Sequence, residues 1–165
     1  MPTPEFVLRL REKIGHDQLW LPGVSVVVVD DAGRILLGRR SDTGRWSIID
    51  GIPEPGEQPA AAAARECEEE AGVRPEILAV VAVETEEPTV YPNGDRCVFL
   101  DIGFVARVGA ERAAAADVGD GELTAVAWFE PDALPAPLTP HASARIAAAR
   151  AWLADPTTPA RFRLR

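Results

Sequence analysis

The sequence predicts an α/β fold in which helices sandwich a mixed sheet, and three observations predict it. Short apolar runs rich in β-branched residues, which are typical of buried strands, alternate with segments of helical periodicity. Turn signals join some neighbouring strands directly, which indicates hairpins and therefore antiparallel pairs. The helical segments lie between and around the strands, so they are available to pack on the sheet.

The length and composition set the scale of the fold. The chain has 165 residues, of which 47% are hydrophobic and 26% are charged. These values are typical of one globular domain with a sizeable core, and no repeat or linker-like stretch divides the chain. We therefore expect a single domain over residues 1–165.

The first half of the chain contains one helix and three strands by its pattern. Apolar spacing predicts an N-terminal helix within residues 1–15, which Gly15 would stop. Residues 24–29 and 34–40 read as a hairpin, and residues 46–49 as a short strand.

The second half begins with the strongest helix of the sequence, residues 58–71. Pro59 suits the first turn of a helix, an unbroken alanine run follows it, and Gly72 is the expected left-handed stop. The remaining expected elements are strands over 77–84, 96–108 and 123–129, an acidic loop over 109–122, and a closing helix over 141–154.

Charge and hydropathy exclude several classes of partner. The formal net charge is −9, which argues against binding of a nucleic acid polymer or an anionic membrane. No apolar run is long enough to cross a bilayer, and the first residues lack a signal pattern. Two cysteines without ligand-like spacing, Cys67 and Cys97, fit a reducing compartment. We therefore expect a cytoplasmic protein.

A cluster of glutamates at the end of the 58–71 helix carries the strongest chemical signal. Glu66, Glu69 and Glu70 are spaced i, i+3 and i+4, which places their carboxylates on one helix face. The carboxyl end of a helix disfavours anions, so this face is expected to hold a cation. Oxygen donors alone suit Mg²⁺ or Mn²⁺. Arg65 lies four residues before Glu69 and is expected to pair with it.

The residues around this cluster resemble the Nudix box. Gly51 is followed after five residues by Glu57, and after seven more by Arg65-Glu66, an apolar residue, any residue, Glu69-Glu70, any residue, Gly72 and an apolar residue. The resemblance is complete over residues 51–73. It implies a Nudix-type α/β/α sandwich with a mixed β-sheet and a loop-helix-loop catalytic motif.

The resemblance also implies roles for the residues of the box. The metal ligands would be Gly51, Glu66, Glu69 and Glu70, and Glu57, Arg65 and Glu69 would take part in catalysis. Two positions depart from the usual pattern. Cys67 stands at an apolar position, where it is expected to pack as a small hydrophobe. Asp50 stands where relatives commonly have a second glycine, and it adds a charge near the metal site.

The general base of such an enzyme lies either in the box or in an acidic loop further along the chain. The spacing favours Glu122, as base or additional metal ligand. Asp120, Glu111 and Asp117 are the alternatives, and a purely solvated acidic loop is also open.

The group attached to the diphosphate is the least determined part of the prediction. Substrate contacts are expected from Arg39, Trp46, Tyr91 and Arg96, although Trp46 also suits a packing role and Arg96 an ion pair. Of Arg39 and Arg40, at most one should face the site, because neighbours on a strand point to opposite faces. Pro88 resembles a marker of ADP-ribose hydrolases, and Tyr91 one of dinucleoside polyphosphate hydrolases. The two histidines, His16 and His141, are expected at helix caps or on the surface.

The sequence therefore predicts metal-dependent hydrolysis of a diphosphate bond, with Mg²⁺ or Mn²⁺ as cofactor. The substrate would be a nucleoside diphosphate derivative, such as ADP-ribose or a nucleotide sugar, or a nucleoside triphosphate, and a nucleoside monophosphate would be released. A nucleotide-sensing module without hydrolysis is the first alternative. A prenyl diphosphate isomerase is the second, with Cys97 as its only candidate cysteine outside the box. A homodimer is left open.

Overall fold

The computed structural model describes residues 3–91, 93–119 and 121–164, and it confirms the α/β architecture. Within these residues the chain forms four helices and eight strands. In chain order they are α1 (Glu5–Ile14), β1 (Leu19–Val29), β2 (Ile35–Arg40), β3 (Trp46–Ser47), β4 (Ile49–Gly51), α2 (Pro59–Ala71), β5 (Glu76–Thr85), β6 (Thr89–Val90), β7 (Arg96–Arg107), α3 (Ala110–Ala113), β8 (Leu123–Phe129) and α4 (Pro140–Ala154).

The sheet is mixed, as expected. Its main strand order is β3-β2-β1-β7-β5, while β4 pairs with β1, β6 with β7 and β8 with β2. The strands β1 and β7 run parallel along the whole of β1, from the Leu19–Cys97 pair to the Val29–Arg107 pair. The other pairs between named strands are antiparallel.

A divergence of two strands creates the place for the site. The strand β2 is paired with β1 only at Ile35 and Val29, and it then leaves to pair with β3 and β8. The short strand β4 takes the vacated edge of β1, with Gly51 opposite Val24. Residues 51–57, here called the box loop, leave the sheet at Gly51, which packs against Glu66 of α2, and then lead to the start of that helix.

Helices cover both faces of the sheet, and each covers its own apolar cluster. On one face Ala62, Ala63, Cys67 and Ala71 of α2 pack on buried residues of the sheet that include Val24, Val26 and Val28. Cys67 has no exposed surface, which confirms its expected packing role. On the other face Ala142, Ile146 and Ala149 of α4 pack on a cluster that includes Val27, Ile35, Leu37 and Val105.

Three features of the fold differ from the sequence expectation. The strand β1 starts at Leu19 and passes through Pro22 and Gly23, because the parallel partner β7 extends along it. The 46–49 segment is two strands interrupted at Ile48. The acidic loop contains the short helix α3 and is anchored, since the Trp128 indole donates to the Ala113 carbonyl at 3.0 Å.

The chain after α4 also pairs with the sheet, which the sequence did not indicate. Arg161 forms an isolated parallel bridge with Ala82 of β5. Its backbone N–H donates to the Val81 carbonyl and its carbonyl accepts from the Val83 N–H, both at 2.8 Å. Among the described residues, none of the helices has the length and apolar character needed to span a membrane.

Candidate active site

The glutamate face, defined as Glu66, Glu69 and Glu70, lies at the carboxyl end of α2. Glu66 has no exposed surface and Glu70 is 5% exposed, whereas the Glu69 side chain is 44% exposed. Gly72 ends the helix in the left-handed conformation, with φ of 68°, as the sequence predicted. The last turn of the helix contains no basic residue to offset the acids. Two carboxylates are thus buried where the helix dipole opposes them, which costs free energy unless a cation is close.

Arg65 is the cation that the protein itself places there. Its Nε and Nη2 donate to the two carboxylate oxygens of Glu57, each at 2.9 Å, and so form a bidentate salt bridge. Its Nη1 donates to Glu66 and to Glu69, each at 3.0 Å, so the predicted Arg65–Glu69 pair forms. The Arg65 bond holds the pKa of the Glu57 carboxyl below its ordinary value. Arg65 therefore joins the box loop to the glutamate face.

Gly51 packs directly against Glu66, and no other residue type fits there. A Cβ built on Gly51 would lie 2.6 Å from Cγ of Glu66 and would overlap its carboxyl group. Real Cβ atoms almost never approach another atom closer than 3.0 Å. The glycine therefore allows the backbone of the box loop to reach the buried carboxylate.

The environment of Glu66 suits a metal ion. Burial raises the pKa of its carboxyl to about 7, although the Arg65 charge acts in the opposite direction. One of its oxygens, Oε2, is buried and has no hydrogen-bond partner among the described residues. A buried acceptor without a donor is rare in proteins, so this oxygen is suited to bind a cation. A hard cation next to Glu66 would satisfy this oxygen and stabilise the charged carboxylate.

The donor set fits Mg²⁺ or Mn²⁺ in an open site rather than a closed one. Across residues 3–91, 93–119 and 121–164, no three His, Cys, Asp or Glu side chains form a ready-made metal cage. Mg²⁺ is usually held by one or two carboxylates together with waters and substrate phosphates. The glutamate face, with the predicted Gly51 carbonyl, would supply such a partial set of oxygen ligands.

Asp50 directs its side chain to the opposite face of the sheet. Its carboxylate Oδ2 lies 3.3 Å from His141 Nε2 and accepts from the Ser47 hydroxyl at 3.3 Å. Its Oδ1 lies 3.7 Å from an Arg40 nitrogen. Burial raises the pKa of Asp50, but His141 and Arg40 outweigh this effect and leave the pKa below its ordinary value. The charge of this unusual residue is thus balanced by protein cations.

Arg40, rather than the predicted Arg39, borders the acidic groups of the site. Its guanidinium is bound by both oxygens of Asp42 at 3.0 and 2.8 Å, and it interacts electrostatically with Asp50 and Glu70. Arg39 is exposed and donates to the Gly44 carbonyl at 3.1 Å. The pairing of β2 with β8 shifts register between Arg39 and Arg40. The regular alternation of side chains along a strand does not predict such an irregularity.

Of the other predicted substrate residues, Trp46 packs in the protein, whereas Tyr91 and Arg96 lie at the surface. Trp46 packs edge-to-face on Phe129 with ring centroids 5.0 Å apart, which is the packing role that the sequence left open. Tyr91 is 40% exposed, and the charges of Arg40 and Asp50 act on its hydroxyl. Arg96 is exposed on β7, and the structure pairs its expected partners, Asp95 and Asp101, with other residues.

The acidic loop docks on the glutamate end of α2. The backbone N–H of Asp117 donates to Ala71 at 3.1 Å, and that of Gly119 donates to Glu70 at 3.0 Å. A Cβ on Gly119 would overlap the Glu69 carbonyl, so the approach requires glycine.

The loop contains the four candidates for the general base. Glu122 is half-buried at the end of the loop, and its carbonyl accepts from Ser41 at 2.8 Å. Asp117 is exposed. Glu111 lines a separate surface cavity of about 490 Å³ beside Arg107. Asp120 lies outside the described residues.

One group of residues beside the site could not be predicted from the sequence. His141 was expected at a cap or on the surface, but it lies against Asp50, and its pKa is raised by Asp50 despite the opposing effect of burial. Ser47 bonds Thr139 at 2.8 Å in the same group. These residues are up to 92 positions apart, so local spacing carries no signal for them. The unusual Asp50, whose charge requires a partner, was the one available indication.

Comparisons with known proteins agree with this geometry. A family model described as the NUDIX domain matches residues 19–150. The chain is 38% identical over 117 residues to a MutT-like protein of Streptomyces ambofaciens, covering 66% of this chain and 63% of that protein. It is 40% identical over 87 residues to an RNA pyrophosphohydrolase of Roseobacter denitrificans, covering 52% of this chain and 49% of that protein. Each match thus covers less than two thirds of the relative's length.

A solved structure extends the agreement to the fold. An ADP-ribose pyrophosphatase of Streptococcus suis superposes with a TM-score of 0.66, covering 86% of this chain and 97% of that one. The sequence identity is 21%, so this match bears on the fold alone.

Proposed function

The chain belongs to the Nudix family, and we propose from that premise that it is a divalent-metal-dependent pyrophosphohydrolase. The observation that carries the proposal is Glu66, a wholly buried carboxylate beside Gly51 with one oxygen that no described residue hydrogen-bonds. We propose Mg²⁺ as the ion, with Mn²⁺ as its substitute, held by Glu66, Glu69, Glu70 and the Gly51 carbonyl.

The proposed substrate is a nucleoside linked to a diphosphate. Nucleoside diphosphate derivatives such as ADP-ribose or a nucleotide sugar, and nucleoside triphosphates, share the bond that is broken. A water oxygen forms a bond to one phosphorus, the bridging P–O bond breaks, and a nucleoside monophosphate is released with the second phosphate product. When bound, the metal ions neutralise the diphosphate and lower the pKa of a bound water.

Other residues of the chain would position the glutamates, accept a proton and contact the substrate phosphate. Arg65 fixes the rotamers of Glu66 and Glu69 through its hydrogen bonds and ties them to Glu57. We assign Glu122 as the group that accepts the proton of the attacking water, because its loop is bonded to the Glu70 end of α2. We propose Arg40 for contact with substrate phosphate, because its charge interacts with Glu70 of the glutamate face.

A substrate panel with product identification tests the proposal. The panel contains ADP-ribose, nucleotide sugars, nucleoside triphosphates, a dinucleoside polyphosphate and a 5′-triphosphorylated RNA, each with Mg²⁺ or Mn²⁺. The net charge of −9 argues that small nucleotides are cleaved and the RNA is not. Cleavage of the RNA alone would refute the substrate class and leave the reaction class standing.

Three glutamine variants on the same helix separate the metal role from general effects of charge. Glu69→Gln or Glu70→Gln is expected to lower kcat/KM by at least about 100-fold, because even outer-shell partners of a metal contribute 10–100-fold. Glu68→Gln is the matched control. Glu68 is exposed, points away from the glutamate face, and forms an ion pair with Arg74 in which the nitrogen–oxygen distance is 2.6 Å. Equal activity of all three variants would contradict the metal assignment. Nucleotide binding without product under either metal would instead favour the sensing alternative.

A further inference from the structure

A line of polar residues crosses the sheet on the face that α4 covers. It consists of Asp50 on β4, Ser25 on β1, Asp101 on β7 and Glu84 on β5, and it is called the polar strip below. Asp50 is paired with Ser25 across β4 and β1, and Glu84 with Asp101 across β5 and β7. Ser25 donates to Asp101 at 2.8 Å. Ser25, Asp101 and Glu84 are at most 5% exposed, so the strip interrupts an otherwise apolar layer.

Two residues of α4, one turn apart, lie over this strip. Arg145 is 2% exposed and donates to Glu84 at 2.6 Å and to Asp101 at 2.8 Å. A Cβ on Gly103 would lie 2.8 Å from Arg145, so the glycine leaves the space that the Arg145 side chain occupies. His141 lies 3.3 Å from Asp50 at the other end of the strip. The same helix face therefore contacts three strands through charged groups.

Such an arrangement fixes the helix in one position. Buried ion pairs contribute little net stability relative to apolar packing, but separating them leaves uncompensated charges in a dry layer. Sliding or rotating α4 by one residue would remove Arg145 from both carboxylates. The Arg145 contacts thus determine where His141 stands, four residues earlier on the helix.

We propose that His141 is a positioning residue for the box loop, acting through Asp50. Asp50 immediately precedes Gly51, whose backbone lies against Glu66 and whose carbonyl is a proposed metal ligand. The bonds from His141 and Ser47 hold the Asp50 side chain on the α4 face and thereby limit rotation of the Asp50–Gly51 peptide. A glycine at position 50 would have no side chain for α4 to hold. The inference rests on the proposed metal site and deepens it.

A double-mutant cycle on metal affinity tests this role without relying on turnover. Mn²⁺ binding to the metal-free protein is measured by titration calorimetry for the wild type, His141→Leu, Asp50→Ala and the double variant. Each single change is expected to weaken Mn²⁺ binding by about tenfold, as for outer-shell partners of a metal. In the Asp50→Ala background His141→Leu should add less than about twofold, because the two residues act through one contact.

Two further variants separate positioning from general destabilisation. His141→Gln keeps a donor at similar reach and should bind Mn²⁺ within about threefold of the wild type. His16→Ala removes the other histidine of the chain, which bonds Asp95 at 2.8 Å on the surface, and should leave Mn²⁺ affinity unchanged. On the best substrate His141→Leu should lower kcat more than it raises KM, because His141 touches no substrate in this account.

The outcomes distinguish this inference from the proposed function. If Glu70→Gln binds Mn²⁺ as tightly as the wild type, the box is not the metal site and the proposed function fails. If Glu70→Gln weakens binding but His141→Leu matches the wild type, only the positioning role is refuted. Additive losses in the cycle would also refute it, since they would mean that His141 acts independently of Asp50.

Discussion

A single methyl group at Gly51 tests the contact on which the site is built. In Gly51→Ala the new Cβ would stand 2.6 Å from Cγ of Glu66, against 3.4–4 Å for ordinary van der Waals contact. Glu66 has no exposed surface, so its side chain cannot move into solvent to relieve the overlap. Either the box loop or the Glu66 carboxylate must move by a distance on the order of 1 Å.

The size of both effects follows from this geometry. Overpacking a buried contact by one methyl group costs about 1–3 kcal/mol of unfolding free energy. A misplacement of about 1 Å at a reacting centre lowers the rate on the order of 100-fold. Gly51→Ala should therefore show a modest loss of stability together with a large loss of kcat/KM.

Urea unfolding and steady-state kinetics on the best substrate measure the two quantities. Gly23→Ala is the matched control, because a Cβ there would meet Phe99 at 3.5 Å and Asp101 at 3.7 Å, which is ordinary contact. This control should keep kcat/KM close to that of the wild type. Activity of Gly51→Ala within about threefold of the wild type would refute the account of a glycine-dependent contact.

Three further predictions concern the charged groups. Arg145→Met should lower the unfolding free energy by about 3–5 kcal/mol in urea titrations at pH 7, because it removes the buried cation that bonds both Asp101 and Glu84 and leaves Glu84 with the more exposed Arg161 and Arg163. Burial raises the pKa of Glu84, but Arg145, together with Arg161 and Arg163, outweighs this effect, and the folded pKa is below the ordinary value. The stability contributed by Glu84 is therefore complete above the unfolded pKa of about 4.3 and is lost as pH falls through the lower folded pKa. Glu84→Gln should accordingly flatten the acid limb of stability against pH. Arg65→Lys should lower kcat/KM by about 10–100-fold, because lysine cannot make the bidentate salt bridge to Glu57 that fixes the glutamate face.

Exposed counterparts serve as controls for these charge variants. Arg9 and Glu5 form a surface pair in which both side chains are more than 60% exposed. Arg9→Lys and Glu5→Gln should leave activity and unfolding unchanged, because exposed pairs are solvated and screened. An Arg145→Met variant as stable as the wild type would contradict the account of the polar strip. Wild-type activity of Arg65→Lys would mean that a single positive charge suffices at that position.

The parts of the site that local spacing determines could be predicted from the sequence. Helical periodicity places Arg65 within reach of Glu69, and the stop at Gly72 follows from the need for positive φ. The Nudix resemblance then supplied Gly51 and Glu57, and the structure gives their physical reason in the contact with Glu66 and the pair with Arg65.

The parts that depend on distant segments could not be predicted in this way. The choice between Arg39 and Arg40 turns on a register shift against β8, which lies more than 80 residues further along the chain. His141 reaches Asp50 only because α4 packs over the polar strip, and its own neighbours in sequence give no sign of it. Trp46 suited both substrate and core, and its packing on Phe129, more than 80 residues further along the chain, is a contact that local sequence does not indicate.

The turnover of Glu66→Gln tests the central claim most directly. This change keeps the size of the side chain and removes only the charge that a metal ion would bind. If the glutamate face holds the catalytic metal, kcat/KM on the best substrate should fall by at least about 100-fold with Mg²⁺, while Glu68→Gln stays at the wild-type value. Turnover of Glu66→Gln within a few-fold of the wild type would contradict the claim.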